Sequence, residues 1–286
     1  DNIWVSNESG AYFSDIGSMS STGDQWLSNL DTGFEIFSAD ELLISGARIH
    51  NNRKGALLNE VSLRMESTSI DSSREIGLKL MHTSGILEKI SSQHNGVALE
   101  LGEGSQANIT QSQFSNNELT IDASASVSLS LSFSTVSHSR NGVRLGNYAE
   151  ASILSNQFRL IDGYSVELSG PHIQSLLMRQ NVVSKTGGVL NSRTSAGEIR
   201  VQSNTFANNL SGITASKRTL TALDHNIFFH TASPETQLLK DEQPFRWNCL
   251  YPAKEIQQPV STESGNIYSD PDFGTNYYLN PTDRKS

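Results

Sequence analysis

Isoleucine, valine or phenylalanine returns along this chain at a step close to 22 residues, at Ile49, Ile70, Ile90, Phe114, Val136, Phe158, Val182, Phe206 and Phe228. The successive steps are 21, 20, 24, 22, 22, 24, 24 and 22 residues. A period of this size marks a solenoid, in which one repeat is one turn that cannot bury its apolar face alone. Two more apolar rows keep step with this central one. The preceding row runs Ile44, Met65, Ile86, Ile109, Leu131, Ile153, Leu177, Val201, Leu223; the following row runs Leu57, Leu78, Leu99, Ile121, Val143, Val166, Val189, Ile213. Segments such as Val97-Ala98-Leu99-Glu100-Leu101 alternate with the period of a strand buried on one face.

Three inward rows per turn predict three short strands per turn, and hence an all-β fold, a parallel β-helix of three sheets. The chiral preference of parallel crossovers makes the expected hand right-handed. Residues 31–230 hold about nine such coils, which at strand spacing make a column roughly 43 Å long. Residues 1–30 lack clean phasing and are expected to form an irregular turn or cap. From 231 to 286 prolines and aromatics gather, which predicts closing turns and a C-terminal cap. Helical repeats need longer periods, and the Ser-, Asn-, Thr- and Gly-rich spacers suit turns.

Asn52, Asn95, Asn117, Asn141 and Asn209 lie just beyond the central row. Asparagine tolerates left-handed backbone, so these residues fit a bend repeated turn after turn; a polar ladder for sugar or ions is the functional alternative. A formal net charge of −9 argues against nucleic acid, whose phosphates need a basic face. The lone Cys249 excludes an internal disulfide and a cysteine metal cluster. No apolar run approaches a membrane span. The chain opens on Asp1 without an initiator methionine, which fits a mature form or an excised segment and leaves export open.

One outward row carries candidate chemistry. Lys79, Glu100, Asp122, Arg144 and Glu167 fall between inward residues of the third strand on five successive turns. In register, they form a charged groove. Arginine or lysine there can neutralise a uronate carboxylate or take its C5 proton, and a carboxylate can serve as acid or calcium ligand. The same row also fits a surface ladder of alternating charges that favours correct register. His50, His94, His138 and His230 follow the central row beside turns that lack an evident carboxylate, which suits exposed turn histidines better than a metal site. Asp270-Pro271-Asp272 fits a capped turn better than a calcium site.

The repeated Ser155-Asn156-Gln157-Phe158 and Ser203-Asn204-Thr205-Phe206, with the ending Gly265-Asn266-Ile267-Tyr268-Ser269-Asp270-Pro271-Asp272-Phe273 and Tyr277-Tyr278-Leu279-Asn280-Pro281, resembles the right-handed parallel β-helix proteins of the pectate-lyase-like superfamily, specifically their secreted bacterial members. That resemblance implies a secreted, periplasmic or cell-surface protein that engages a polysaccharide or cell-surface glycan, lyase-like where catalytic. Motifs for catalysis are absent: the chain has no paired Asp-Asp or Gly-His-Gly, no acidic calcium cluster followed by arginine, and no Asp-Pro-His. The expected site is therefore the charged row, with Arg144, Asp122 and Glu100 as reacting groups and Lys79 and Glu167 as substrate contacts. The rival expectation is a non-catalytic structural or adhesive module of a larger surface protein.

Overall fold

The computed structural model describes residues 2–192, 196–215, 219–231 and 245–251. It is a parallel β-solenoid of about ten turns with no α-helix among the described residues. The central face is a 12-stranded parallel sheet of three-residue strands, from Ile3–Val5 to Cys249–Tyr251. The other two faces share an 18-stranded sheet, because Ala11–Thr22, Thr32–Ser45 and Lys54–Glu66 each run across both. Beyond Lys54–Glu66 the two columns separate: Ile76–Met81 begins the following face and Ser84–Glu88 the preceding one.

The rungs therefore extend past the expected limits of 31 and 230. Ile3–Val5 pairs in parallel with Gln25–Leu27, which pairs with Arg48–His50. At the other end Ile227–Phe229 pairs with Cys249–Tyr251. The expected cap motifs from Gly265 to Pro281, including Asp270-Pro271-Asp272, lie outside the described residues.

The core is one continuous column. Its central row reads Trp4, Trp26, Ile49, Ile70, Ser92, Phe114, Val136, Phe158, Val183, Phe206, Phe228, Leu250 by register. Two assignments are corrected. Ser92, not Ile90, occupies the fifth rung, while Ile90 is buried at the preceding corner; Val183, not Val182, pairs with Phe158. Ser92 is tolerated inside because its hydroxyl accepts a 3.0 Å hydrogen bond from Asn95 Nδ2. The preceding row uses Leu87 and Met178 in place of Ile86 and Leu177. The following row uses Ala56 and Leu190 in place of Leu57 and Val189. Ile86 is 46% exposed, as a slip of one residue on a period-2 strand requires.

Corners are made by single residues in left-handed backbone. After the central strand these are Ser28, Asn51, Ser72, His94, Asn116, His138 and onward to His230, with φ between 43° and 57°. Left-handed φ is strained for most side chains and least so for Asn, Asp and His, which accounts for the histidines found there. The residue after each corner turns inward. Asn29, Asn52, Asn95, Asn117 and Asn209 are buried at these positions, in a ladder where a buried backbone N–H donates to a side-chain oxygen of the next rung: Asn29 N to Asn52 Oδ1 and Asn95 N to Asn117 Oδ1 at 2.9 Å, Asn117 N to Ser139 Oγ and Asn209 N to Thr231 Oγ1 at 3.3 Å. Asn141 is not part of it; it begins the strand Asn141–Leu145, and Ser139 holds the corner position. A second ladder before the central strand runs Asn156, Asn181, Asn204, Asn226, Asn248. These amides satisfy the polar groups that one-residue bends would otherwise leave buried and unpaired.

Candidate functional site

The outward row of the following face is in unbroken register. Lys79 is level with Glu100, Glu100 with Asp122, Asp122 with Arg144, and Arg144 with Glu167. Its side chains therefore stand about 4.8 Å apart along the solenoid axis. The inward neighbours Leu78, Leu99, Ile121, Val143 and Val166 are buried, which fixes the charged residues facing out. All five are half-buried, with side-chain exposures from 21% to 36%.

The charges are partly matched among themselves. Lys79 Nζ lies 2.7 Å from Glu100 Oε1, a close ion pair. Arg144 sits between two carboxylates, 3.6 Å from Asp122 Oδ2 and 3.8 Å from Glu167 Oε2. Both separations exceed hydrogen-bond length. Arg144 therefore donates no side-chain hydrogen bond among the described residues, and its side chain is 36% exposed. Asp122 in turn accepts a short hydrogen bond from Ser124 Oγ.

Followed toward the N-terminus, the row continues through Leu57, Glu35 and Tyr12. Here the face becomes apolar. Phe37 is 38% exposed and Tyr12 62%, and their rings stand 5.7 Å apart, tilted by 37°. Beside them lies a hollow of about 160 Å³ whose lining includes Phe37, Lys54, Leu57, Ile76, Lys79 and Met81. Sequence reasoning missed this end of the face. The signal was Phe37 beside the alternating apolar residues of Thr32–Ser45, obscured because that strand spans two faces without a turn between them. Tyr148, off-row in the sequence, is 61% exposed and stacks on His172 with centroids 6.0 Å apart. Tyr164, also off-row, begins the strand Tyr164–Leu168 on the following face.

The histidines divide. His94, His138 and His230 are corner residues at positive φ, as expected. His50 ends a central strand instead, and Asp71 on the next rung supplies the carboxylate the sequence did not reveal. His50 Nδ1 is 3.8 Å from Asp71 Oδ2 and His94 Nδ1 is 3.7 Å from Asp71 Oδ1, while Gln93 donates to Asp71 at 3.1 Å. Among the described residues no three His, Cys, Asp or Glu side chains are arranged to hold a metal ion. Glu100 and Asp122 are adjacent carboxylates, so a calcium ion between them must draw most of its six to eight oxygens from substrate and water.

On the preceding face a second hollow of about 360 Å³ is lined by Ser128, Ser130, Glu150, Ser175, Glu198 and Arg200 among others. Arg200 Nε is committed to Glu198 at 2.7 Å, and no aromatic side chain among the described residues borders this hollow.

No protein-family model matches the chain, and no curated protein or solved structure matches it significantly. What the chain itself defines is a parallel β-solenoid with a charged lateral face. No helix among the described residues is long and apolar enough to cross a membrane.

Proposed function

We propose that this is an exported glycan-binding solenoid that holds an extended acidic polysaccharide along its following face. The observation that carries the reading is the row from Lys79 to Glu167. It presents one charged side chain per rung at about the rise of one sugar residue, and ends in the exposed Tyr12–Phe37 pair. Arg144 is the carboxylate clamp, since its fork donates no hydrogen bond among the described residues. Asp122, Glu100 and Glu167 accept sugar hydroxyls and hold Arg144 in place. With three carboxylates to two cations, the row suits a hydroxyl-rich chain whose acidic groups meet Lys79 and Arg144 better than nucleic acid, which carries a phosphate on every nucleotide.

Lyase-like turnover is the stronger form of the same reading. It needs a base at the sugar C5 proton, and Lys79 is already engaged by Glu100. The engagement of Lys79 thus supports binding over turnover within this reading. A structural or adhesive module is the second reading, favoured by the ion pairs within the row: each of its two cations has a carboxylate within 4 Å. Retention of the protein on immobilised uronate polymers, run beside ultraviolet detection of unsaturated product with and without calcium, separates the three. Retention without product supports binding, product supports a lyase, and neither supports the structural module.

A further inference from the structure

We infer that the hollow beside Phe37 is an anchoring subsite for one carboxylate-bearing sugar ring, with Lys54 as its anion contact. This rests on the glycan-binding reading of the same face and adds where the chain is fixed and by what chemistry.

Three observations converge. The hollow, at about 160 Å³, is roughly half the size of the smallest common small-molecule pockets, so it takes a single ring rather than a larger ligand. Its apolar lining of Phe37, Leu57, Ile76 and Met81 matches the C–H face of a sugar, and the partly exposed Phe37 and Met81 are open to a ligand. Charge decides the substituent. Two ammonium-bearing residues line the hollow, and Lys79 is taken by Glu100 at 2.7 Å. Lys54 makes no ion pair and no side-chain hydrogen bond among the described residues. A half-buried lysine lining an apolar hollow, its ammonium uncommitted, selects an anion on an otherwise amphipathic ring. Glu35, one rung further in the row, does not line the hollow. The hollow also abuts the charged row through Lys79, so a chain anchored here continues over Glu100, Asp122 and Arg144 without changing direction.

The test is titration calorimetry with tetragalacturonate, its methyl ester and a neutral galactose tetramer. Proteins compared are the wild type, Lys54→Met, Phe37→Ser and Arg144→Ala, each first checked for unchanged melting. Lys54→Met keeps the apolar stem, so it removes the charge with little change in packing. Expected are about tenfold or greater weakening of tetragalacturonate binding in Lys54→Met, and wild-type affinity for the ester no better than that of Lys54→Met for the acid. Phe37→Ser should weaken acid and ester alike. Binding lost in Arg144→Ala but unchanged in Lys54→Met and Phe37→Ser overturns the subsite and leaves the charged-row reading standing. Wild-type binding equal for acid, ester and neutral tetramer also overturns the anion contact. No binding of any of the three overturns both readings.

Discussion

Asn204 offers the sharpest test of what holds the turns together. Its side chain is 1% exposed. The amide oxygen accepts from Asn181 N at 2.9 Å and Asn181 Nδ2 at 3.0 Å, and its own Nδ2 donates to Met178 O at 3.0 Å and Asn226 Oδ1 at 3.0 Å. Asn204→Ala leaves the buried Asn181 backbone N–H with no acceptor. Asn181 Nδ2 keeps its bond to Ile153 O at 2.7 Å, so one donor is orphaned outright and the others are partly compensated. An orphaned buried group costs about 1–3 kcal/mol, and with the small cavity the variant should lose about 2–4 kcal/mol. Asn204→Ser should lose about half as much. Serine fills the same corner position on earlier rungs, where Ser134 Oγ accepts from Ser112 N at 3.0 Å. Because a solenoid's stability is carried by nearest-neighbour terms, native-state hydrogen exchange is the fitting assay, read at the Asn181 amide beside the urea midpoint. The order wild type, Ser, Ala is predicted in both. An Ala variant within about 0.5 kcal/mol of wild type, with the Asn181 amide equally protected, refutes the ladder as the device that satisfies the corners.

Three further outcomes follow from the same geometry. Phe158→Ala should cost about 3–5 kcal/mol in urea unfolding, since the ring is fully buried between Val136 and Val183; near-neutral stability contradicts the central row. The buried Asp24 carboxyl is opposed by desolvation, but hydrogen bonds from Ser21 Oγ and from the Asn2 backbone and side chain outweigh it and hold its pKa below the ordinary 3.8. Its contribution is thus fully present above pH 3.8 and lost as pH falls through the lower folded value, so Asp24→Asn should flatten acid-induced melting below about pH 4 and leave an unchanged slope only if the account is wrong. Arg144→Ala should abolish glycan retention with melting unchanged; lower stability with retention intact marks the row as structural.

The repeat was legible because inward positions of this solenoid are apolar on nearly every turn, so Ile49, Phe114, Phe158 and Phe206 stand out against a polar background. Register was less legible wherever two apolar residues are adjacent. Ile86-Leu87, Leu177-Met178, Val182-Val183 and Val189-Leu190 each offer two choices, and only the paired rung selects between them. Ser92 was invisible because its burial depends on a hydrogen bond from Asn95, not on its own polarity. Five charged residues could be placed in one row since each is flanked by unambiguous inward residues such as Leu99 and Val143. The aromatic end of that face could not be. Thr32–Ser45 and Lys54–Glu66 bend between faces at single positive-φ residues, Ser38 and Glu60, and carry no turn signal to set the phase. The Asp71 carboxylate between His50 and His94 was hidden for a related reason: its partners are 21 and 23 residues away and meet only through stacking.

Hydroxyl-radical footprinting with and without polygalacturonate tests the central claim most directly, because the following face carries reactive side chains and other parts of the surface carry controls. Tyr12, Phe37 and Met81 are exposed along the proposed path, while Phe133 and Trp247, at corners before the central face, are 68% and 59% exposed. The account predicts that the polymer protects Tyr12, Phe37 and Met81 and leaves Phe133 and Trp247 as reactive as before. Equal reactivity at all five positions, or protection confined to Phe133 and Trp247, contradicts it.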